Sequence, residues 1–206
     1  MTMMLGILLA LGAAGPQQAA APPAAAVKAA TVRVALETAA GRIVLELESE
    51  RAPVTTANFL RYVRAKRFDG IQFYRAVKVA PGFGLVQAGL RVPTRWYPPI
   101  AHEPTSATGI THQDGTISMA RGAPGSAAAD WFITVGASPS LDANPAGTGA
   151  NLGFAAFGRV VEGMDVVRTI LAAPADPTKG EGVMRGQMLA APILITTARV
   201  EPPAAR

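Results

Sequence analysis

Short runs in which apolar and polar residues alternate are the feature that most restricts how this chain can fold. Two of them, residues 32–36 and 43–47, flank the small turn Thr38-Ala-Ala-Gly41. A period of two residues is that of a strand with one buried face. The pair therefore predicts a β-hairpin at the start of a strand-rich domain.

The rest of the chain continues this pattern. Six further segments have the length and apolar character of strands: 73–79, 84–88, 116–119, 131–135, 155–161 and 193–200. Helices are predicted at Pro53–Arg64, where proline suits the first turn, and at residues 162–172, because Pro174 prevents continuation. About eight strands and two helices predict a mainly β protein, a closed eight-stranded antiparallel barrel capped by two α-helices.

The first thirty residues differ from this domain. Residues 5–14 form an apolar run, followed by the small residues Ala19, Ala20 and Ala21. The run is shorter than the ~20 residues of a spanning helix. We expect a signal peptide at 1–21, a flexible linker at 22–30, one domain at 31–201 and a C-terminal tail at 202–206. No Lys or Arg precedes the run, so a disordered Ala-rich leader is the alternative.

These boundaries predict a periplasmic or secreted protein, tethered to a membrane only if the leader stays uncleaved.

The formal net charge is +5, with basic residues scattered apart from Arg61, Arg64, Lys66 and Arg67. Nucleic-acid binders interleave such residues with stacking aromatics. That pattern is missing, so no nucleic-acid partner is expected. We expect a monomer.

Ordinary catalytic motifs do not explain the chain. It has no cysteine, which excludes disulfides and thiolate nucleophiles. His102-Glu103 begins like a zinc-binding HExxH, but the second histidine is missing. Ser126 lies in a small-residue loop without an obvious base, so a serine hydrolase is not expected. We expect no metal and no cofactor.

The order of the segments resembles the cyclophilin family of peptidyl-prolyl cis/trans isomerases, from about residue 32 to 200. The pieces that carry the resemblance are APVTTANFLRYV, FYRAV, PGFGLVQAG, DGTISMAR, WFITVG, LGFAAFGRVVEGMDVV and ILITTARV. It implies a cyclophilin-like barrel that accelerates rotation about X-Pro bonds in Pro-containing polypeptides. The family works without cofactor or metal.

The resemblance also assigns site residues. Arg75, in Phe73-Tyr74-Arg75, matches the family's catalytic arginine. An X-Pro bond resists rotation with a barrier of ~18–20 kcal/mol, and a fixed donor at the prolyl nitrogen would favour the twisted amide. The implied substrate-binding residues are Phe83, Leu85, Gln87, Ala120, Arg121, Phe132, Leu141 and Phe154.

Three departures from the family pattern affect this site. Asp130 replaces a glutamine, and we expect its carboxylate to pair with Arg75 or Arg121. Ser140 stands where many members have tryptophan, which implies weak cyclosporin binding. Extra residues between Arg75 and Gln87 require a bulge or a longer connection.

Two other functions remain open on the sequence. One is a catalytically weak module of cyclophilin fold that binds Pro-containing peptides as a chaperone does. The other is a structural domain anchored at a membrane through its apolar N-terminus.

Overall fold

The computed structural model describes residues 30–144, 146 and 152–202. The expected signal peptide, and all of the expected linker except Ala30, lie outside the described residues. The strands are β1 (Thr31–Thr38), β2 (Gly41–Glu48), β3 (Gln72–Ala80), β4 (Phe83–Gly89), β5 (Thr116–Met119), β6 (Asp130–Val135), β7 (Ala155–Glu162), β8 (Ala175–Asp176) and β9 (Met188–Val200). The helices are α1 (Pro53–Arg64), α2 (Thr105–Thr108) and α3 (Met164–Ala172).

Eight of the strands close into a barrel. Their order is β1-β2-β7-β5-β6-β4-β3-β9, and β9 pairs with β1 to complete the circle. Every neighbouring pair is antiparallel. The short β8 pairs with the start of β9, outside the circle. The predicted closed antiparallel barrel is confirmed, and α2 is an addition to the two predicted helices.

The barrel interior is packed with aliphatic and aromatic side chains. Trp131 is fully buried and makes edge contacts with three phenylalanine rings at centroid distances of 5.5–6.2 Å, those of Phe59, Phe68 and Phe73. Such tilted contacts suit the quadrupoles of aromatic rings. Trp131 therefore belongs to the core, which leaves its neighbour Phe132 to face the opposite side of β6.

Helix α1 receives its N-terminal cap from a distant loop. It has no side-chain cap of its own. Instead, the Glu103 carboxylate accepts hydrogen bonds from the backbone N–H groups of Val54 and Thr55, at 3.1 and 2.7 Å. A carboxylate at this end also interacts favourably with the helix dipole. Glu103 of the His102-Glu103 pair thus has a structural role at a helix end, whereas the His102 Nε2 lies 2.9 Å from the Leu152 carbonyl oxygen.

The β3–β4 hairpin has two bulges, and the second of them lies among the extra residues between Arg75 and Gln87. Tyr74 is unpaired in the first, so that Arg75 lies directly opposite Gln87. Val79 is unpaired in the second. Between them, the Lys78 Nζ donates to the carbonyls of Ala172 and Ala173 at the end of α3, at 3.1 and 2.8 Å. One of the inserted residues, Lys78, therefore binds a helix C-terminus, where a cation is favoured.

Some boundaries differ from the sequence prediction. Helix α3 begins at Met164, because Glu162 belongs to β7 and Gly163 separates the two with φ of 85°. Strand β9 begins at Met188, five residues before the predicted start. Within the described part of the chain, no helix is long and apolar enough to cross a membrane.

Candidate active site

One open cavity of about 520 Å³ gathers most of the residues singled out in the sequence. It lies over the outer face of β3, β4 and β6. Its lining includes eight of the nine predicted site residues, namely Arg75, Leu85, Gln87, Ala120, Arg121, Phe132, Leu141 and Phe154. The structure thus brings together predicted residues that are up to 79 positions apart, as Arg75 and Phe154 are.

Phe83 is the predicted residue that the structure does not bring to this cavity. It is the first residue of β4, opposite Ala80 and beyond the second bulge. Its ring lies against Gly136, where an added Cβ would come within 2.3 Å of the Phe83 Cδ2. The bulge displaces this end of the hairpin, so Phe83 packs against the loop after β6 instead.

The Arg75 guanidinium is held by two amide oxygens. Its Nη1 donates to the Gln87 Oε1 at 2.8 Å. Its Nε and Nη2 both donate to the Gln187 Oε1, at 2.9 and 2.5 Å. Burial lowers the pKa of Arg75 from its ordinary value, but an arginine stays protonated at neutral pH. The result is an oriented cation on the cavity wall with neutral partners.

Phe132 forms the apolar part of the cavity. It is only 3% exposed and follows Trp131 on β6. The Phe154 ring meets it edge-on at 5.5 Å, and the His112 ring stacks on it at 5.9 Å with an interplanar angle of 12°. Leu85 and Leu141 also line the cavity. These side chains make an apolar slot in the cavity wall.

His112 is fully buried and hydrogen-bonded through both ring nitrogens. Its Nδ1 lies 2.6 Å from the Asp142 Oδ1, and its Nε2 lies 2.9 Å from the Ser118 Oγ. A carboxylate only accepts hydrogen bonds, so Nδ1 carries the proton and Nε2 accepts from the serine. Burial lowers the pKa of His112, against the opposing effect of Asp142. Of the two loop histidines, His112 is therefore a core residue.

Asp130 does not pair with Arg75 or Arg121, contrary to the expectation from sequence. Its Oδ2 accepts a hydrogen bond from the Tyr74 hydroxyl at 3.0 Å. Its Oδ1 is buried against Gly89. A Cβ added at Gly89 would come within 1.8 Å of this oxygen. Burial raises the pKa of Asp130 above its ordinary value. The first bulge explains the difference, because it turns Tyr74 toward the cavity side of β3 next to Asp130.

Arg121 lines the cavity next to Phe154. Its Nε donates to the Gly153 carbonyl at 2.9 Å, and its Nη1 donates to the Gly122 carbonyl at 2.8 Å. Its guanidinium also lies 5.0 Å from the centre of the Phe154 ring. These contacts join the loop after β5 to the loop before β7. The two loops form two walls of the same cavity.

Comparisons with known proteins agree with this geometry. Residues 33–199 match the family model described as cyclophilin type peptidyl-prolyl cis-trans isomerase/CLD. The chain belongs to the cyclophilin-type peptidyl-prolyl cis-trans isomerases.

Curated cyclophilin relatives cover most of this chain. It is 36% identical over 172 residues to the peptidyl-prolyl cis-trans isomerase cyp18 of Streptomyces antibioticus, which spans 81% of this chain and 97% of the relative. It is 35% identical over 144 residues to the peptidyl-prolyl cis-trans isomerase A of Dickeya dadantii, with 68% and 71% covered. The similarity thus extends over the barrel and the site.

Solved cyclophilin structures share the fold. A Cryptosporidium parvum cyclophilin-type isomerase superposes with a TM-score of 0.66 at 20% identity, covering 84% of this chain and 99% of that one. A second structure of that protein, determined in the presence of the dipeptide Ala-Pro, gives a TM-score of 0.66 at 19% identity, covering 82% and 99%. At such identities the likeness concerns the fold alone.

Several residues of this cyclophilin site were not predicted from the sequence, and three of them are informative. Trp96 and Met184 line the cavity, and Gln187 binds Arg75. Trp96 lies in a long loop and Met184 in a 3₁₀ turn, Gly182–Met184. Both are partly exposed, and no periodic pattern marks either one. Among the described residues, no group of three or more His, Asp or Glu side chains could hold a metal ion.

Proposed function

We propose that this isomerase grips the proline of an extended polypeptide in the Phe132 slot and promotes rotation through Arg75. The observation that carries the proposal is the placement of an oriented guanidinium beside that slot. A donor fixed before the reaction need not reorganise as the amide twists. The cation therefore stabilises the twisted state more than either planar state.

The remaining lining residues hold the peptide. The prolyl nitrogen becomes pyramidal as the X-Pro bond rotates and its lone pair leaves amide resonance. An N–H of Arg75 would donate to that lone pair. Gln87 would bind a substrate carbonyl through its amide N–H, since its Oε1 already accepts from Arg75. The backbone near Ala120 and Arg121 would pair with the extended chain on the opposite wall. No bond breaks, so no nucleophile or general base is needed.

The test measures cis-to-trans exchange of a short Ala-Pro peptide by NMR. Arg75→Ala should lower kcat about 10²–10³-fold, the usual effect of removing one preorganised donor. Peptide affinity should change little, because the slot is intact. Arg64→Ala is the matched control, since Arg64 is an exposed arginine on α1.

The outcome separates the two functions that the fold allows. If Arg75→Ala keeps wild-type exchange rates, the proposed role of Arg75 is wrong. If the wild type binds the peptide without accelerating exchange, the chain is a chaperone-like module for Pro-containing segments instead.

We further propose that the protein acts on exported polypeptides. The support is the apolar run at residues 5–14 followed by small residues at 19–21. This pattern suits the central part of a signal peptide.

Expression of the whole chain in a bacterial host tests this proposal. The product should be found in the periplasm or medium, beginning within a few residues of Ala21. Leu8→Arg, which interrupts the apolar run, should keep it in the cytoplasm. A full-length wild-type product in the cytoplasm would contradict export. A full-length product in the membrane fraction would show a retained anchor.

A further inference from the structure

Gln187 makes the closest side-chain contacts to Arg75, although no motif marks it. The two residues are 112 positions apart. Gln187 lies just before β9, after the loop that leaves β8. Its Oε1 accepts from both Nε and Nη2 of Arg75, at 2.9 and 2.5 Å. This bidentate contact fixes the plane of the guanidinium.

Gln187 is itself held firmly against the strand that carries Arg75. Its backbone carbonyl accepts from the Ala76 N–H at 2.9 Å. Its own N–H donates to the Met184 carbonyl at 3.1 Å. On its other side, Met188 pairs with Arg75 in the β3–β9 register. The amide therefore has little freedom to move relative to Arg75.

The chemistry of the contact matters as much as its geometry. A guanidinium has five N–H groups, and the two glutamine oxygens accept from three of them. One N–H on each terminal nitrogen remains for substrate. Both acceptors are neutral amides, so they orient the cation without cancelling its charge. A carboxylate in the same place would orient it equally well but would neutralise it.

We propose that Gln187 is a positioning residue, which fixes the guanidinium of Arg75 and keeps its positive charge undiminished for the twisted amide. This inference rests on the catalytic role proposed for Arg75. It predicts that acceptor geometry and acceptor charge at position 187 affect turnover separately.

Two substitutions separate these effects. Gln187→Met keeps the length of the side chain but removes the acceptor. Gln187→Glu keeps the acceptor and adds a negative charge. Each should lower kcat about 10–100-fold with little change in KM, the scale expected when a catalytic group is misplaced or weakened. The matched control is Gln72→Glu, an exposed glutamine of the same strand as Arg75.

The Glu variant distinguishes positioning from a structural role. Its carboxylate can still accept both N–H groups, so its free energy of unfolding in urea should not fall. If Gln187 only stabilised the fold, Gln187→Glu would therefore keep wild-type activity. Its kcat relative to wild type should also rise as the pH falls toward the pKa of the new carboxyl, because protonation restores a neutral acceptor.

The results can also overturn the inference independently of the Arg75 proposal. If Arg75→Ala loses activity while Gln187→Met and Gln187→Glu stay within twofold of wild type, the role of Gln187 is wrong and that of Arg75 stands. If Arg75→Ala is fully active, the catalytic proposal fails, and the inference about Gln187 fails with it.

Discussion

His112, Asp142 and Ser118 have the connectivity of a hydrolase triad, but they act as a support. Ser118 and His112 are fully buried, and neither lines the cavity. A serine with no access to substrate cannot be a nucleophile. The network instead places the His112 ring flat on Phe132 and, through Asp142, fixes the turn that carries Leu141. Two sides of the apolar Phe132 slot are thus held by one set of hydrogen bonds.

The burial of His112 gives the protein an acid-sensitive stability. The folded ring has a pKa below the ordinary value of 6.5. Between these two values the unfolded chain binds more protons than the folded chain, so stability rises with pH there. We expect the free energy of unfolding to include the whole contribution of neutral His112 above about pH 6.5. It should decline as the pH falls from there toward the pKa of the folded ring.

The chain has two histidines, which makes this measurement simple. In His102→Gln, His112 is the sole imidazole, and its ring protons can be followed by NMR from pH 8 to 5 while urea unfolding is measured in parallel. A His112 ring that titrates at or above the ordinary value would show that the prediction is wrong. An unfolding free energy that is flat in this range would show the same.

At the scale of elements, the β3–β4 hairpin depends on Gly84. This residue has φ of 154° and lies opposite Lys78, between the second bulge and Leu85. An added Cβ would come within 1.9 Å of the Val77 carbonyl oxygen. Only glycine fits so close a backbone approach. Because Val77 and Leu85 both line the cavity, the hairpin geometry and the slot are linked.

Alanine substitutions at two glycines of this hairpin test that dependence. Gly82 also has positive φ, but nothing lies within 4 Å of its would-be Cβ. Gly82→Ala should cost about 1–2 kcal/mol, the penalty of a left-handed conformation. Gly84→Ala should cost more and weaken peptide binding, because the backbone of β3 must shift. Urea unfolding and NMR titration with the Ala-Pro peptide measure both effects, and equal losses in the two variants would contradict the argument.

The elements that sequence predicts well are those with a strong period. The hairpin of β1 and β2 is an example, because each strand has one buried face. Strand β8 was missed because two residues cannot show a period. The start of β9 was missed because Ala190, Ala191 and Pro192 are exposed and break the alternation.

At the scale of the whole molecule, the closed barrel follows from counting strands, but its site does not. Motifs located Arg75 and Phe132, since their segments keep a family order. Gln187 has no motif, and its contact with Arg75 exists only because β9 lies beside β3. The contact between Asp130 and Tyr74 likewise depends on the bulge at Tyr74, and residue spacing alone does not predict where that bulge lies. Contacts between segments that are distant in sequence are therefore the part of the site that sequence patterns did not predict.

Strand β9 has one more consequence, which concerns the order of events during synthesis. It is the last strand to emerge from the ribosome, and it pairs with both β1 and β3. Until then those two strands have open edges, and Arg75 lacks Gln187. Pairing across so much of the chain is slow to form. A nascent chain that still lacks β9 therefore has an open barrel and no finished catalytic centre.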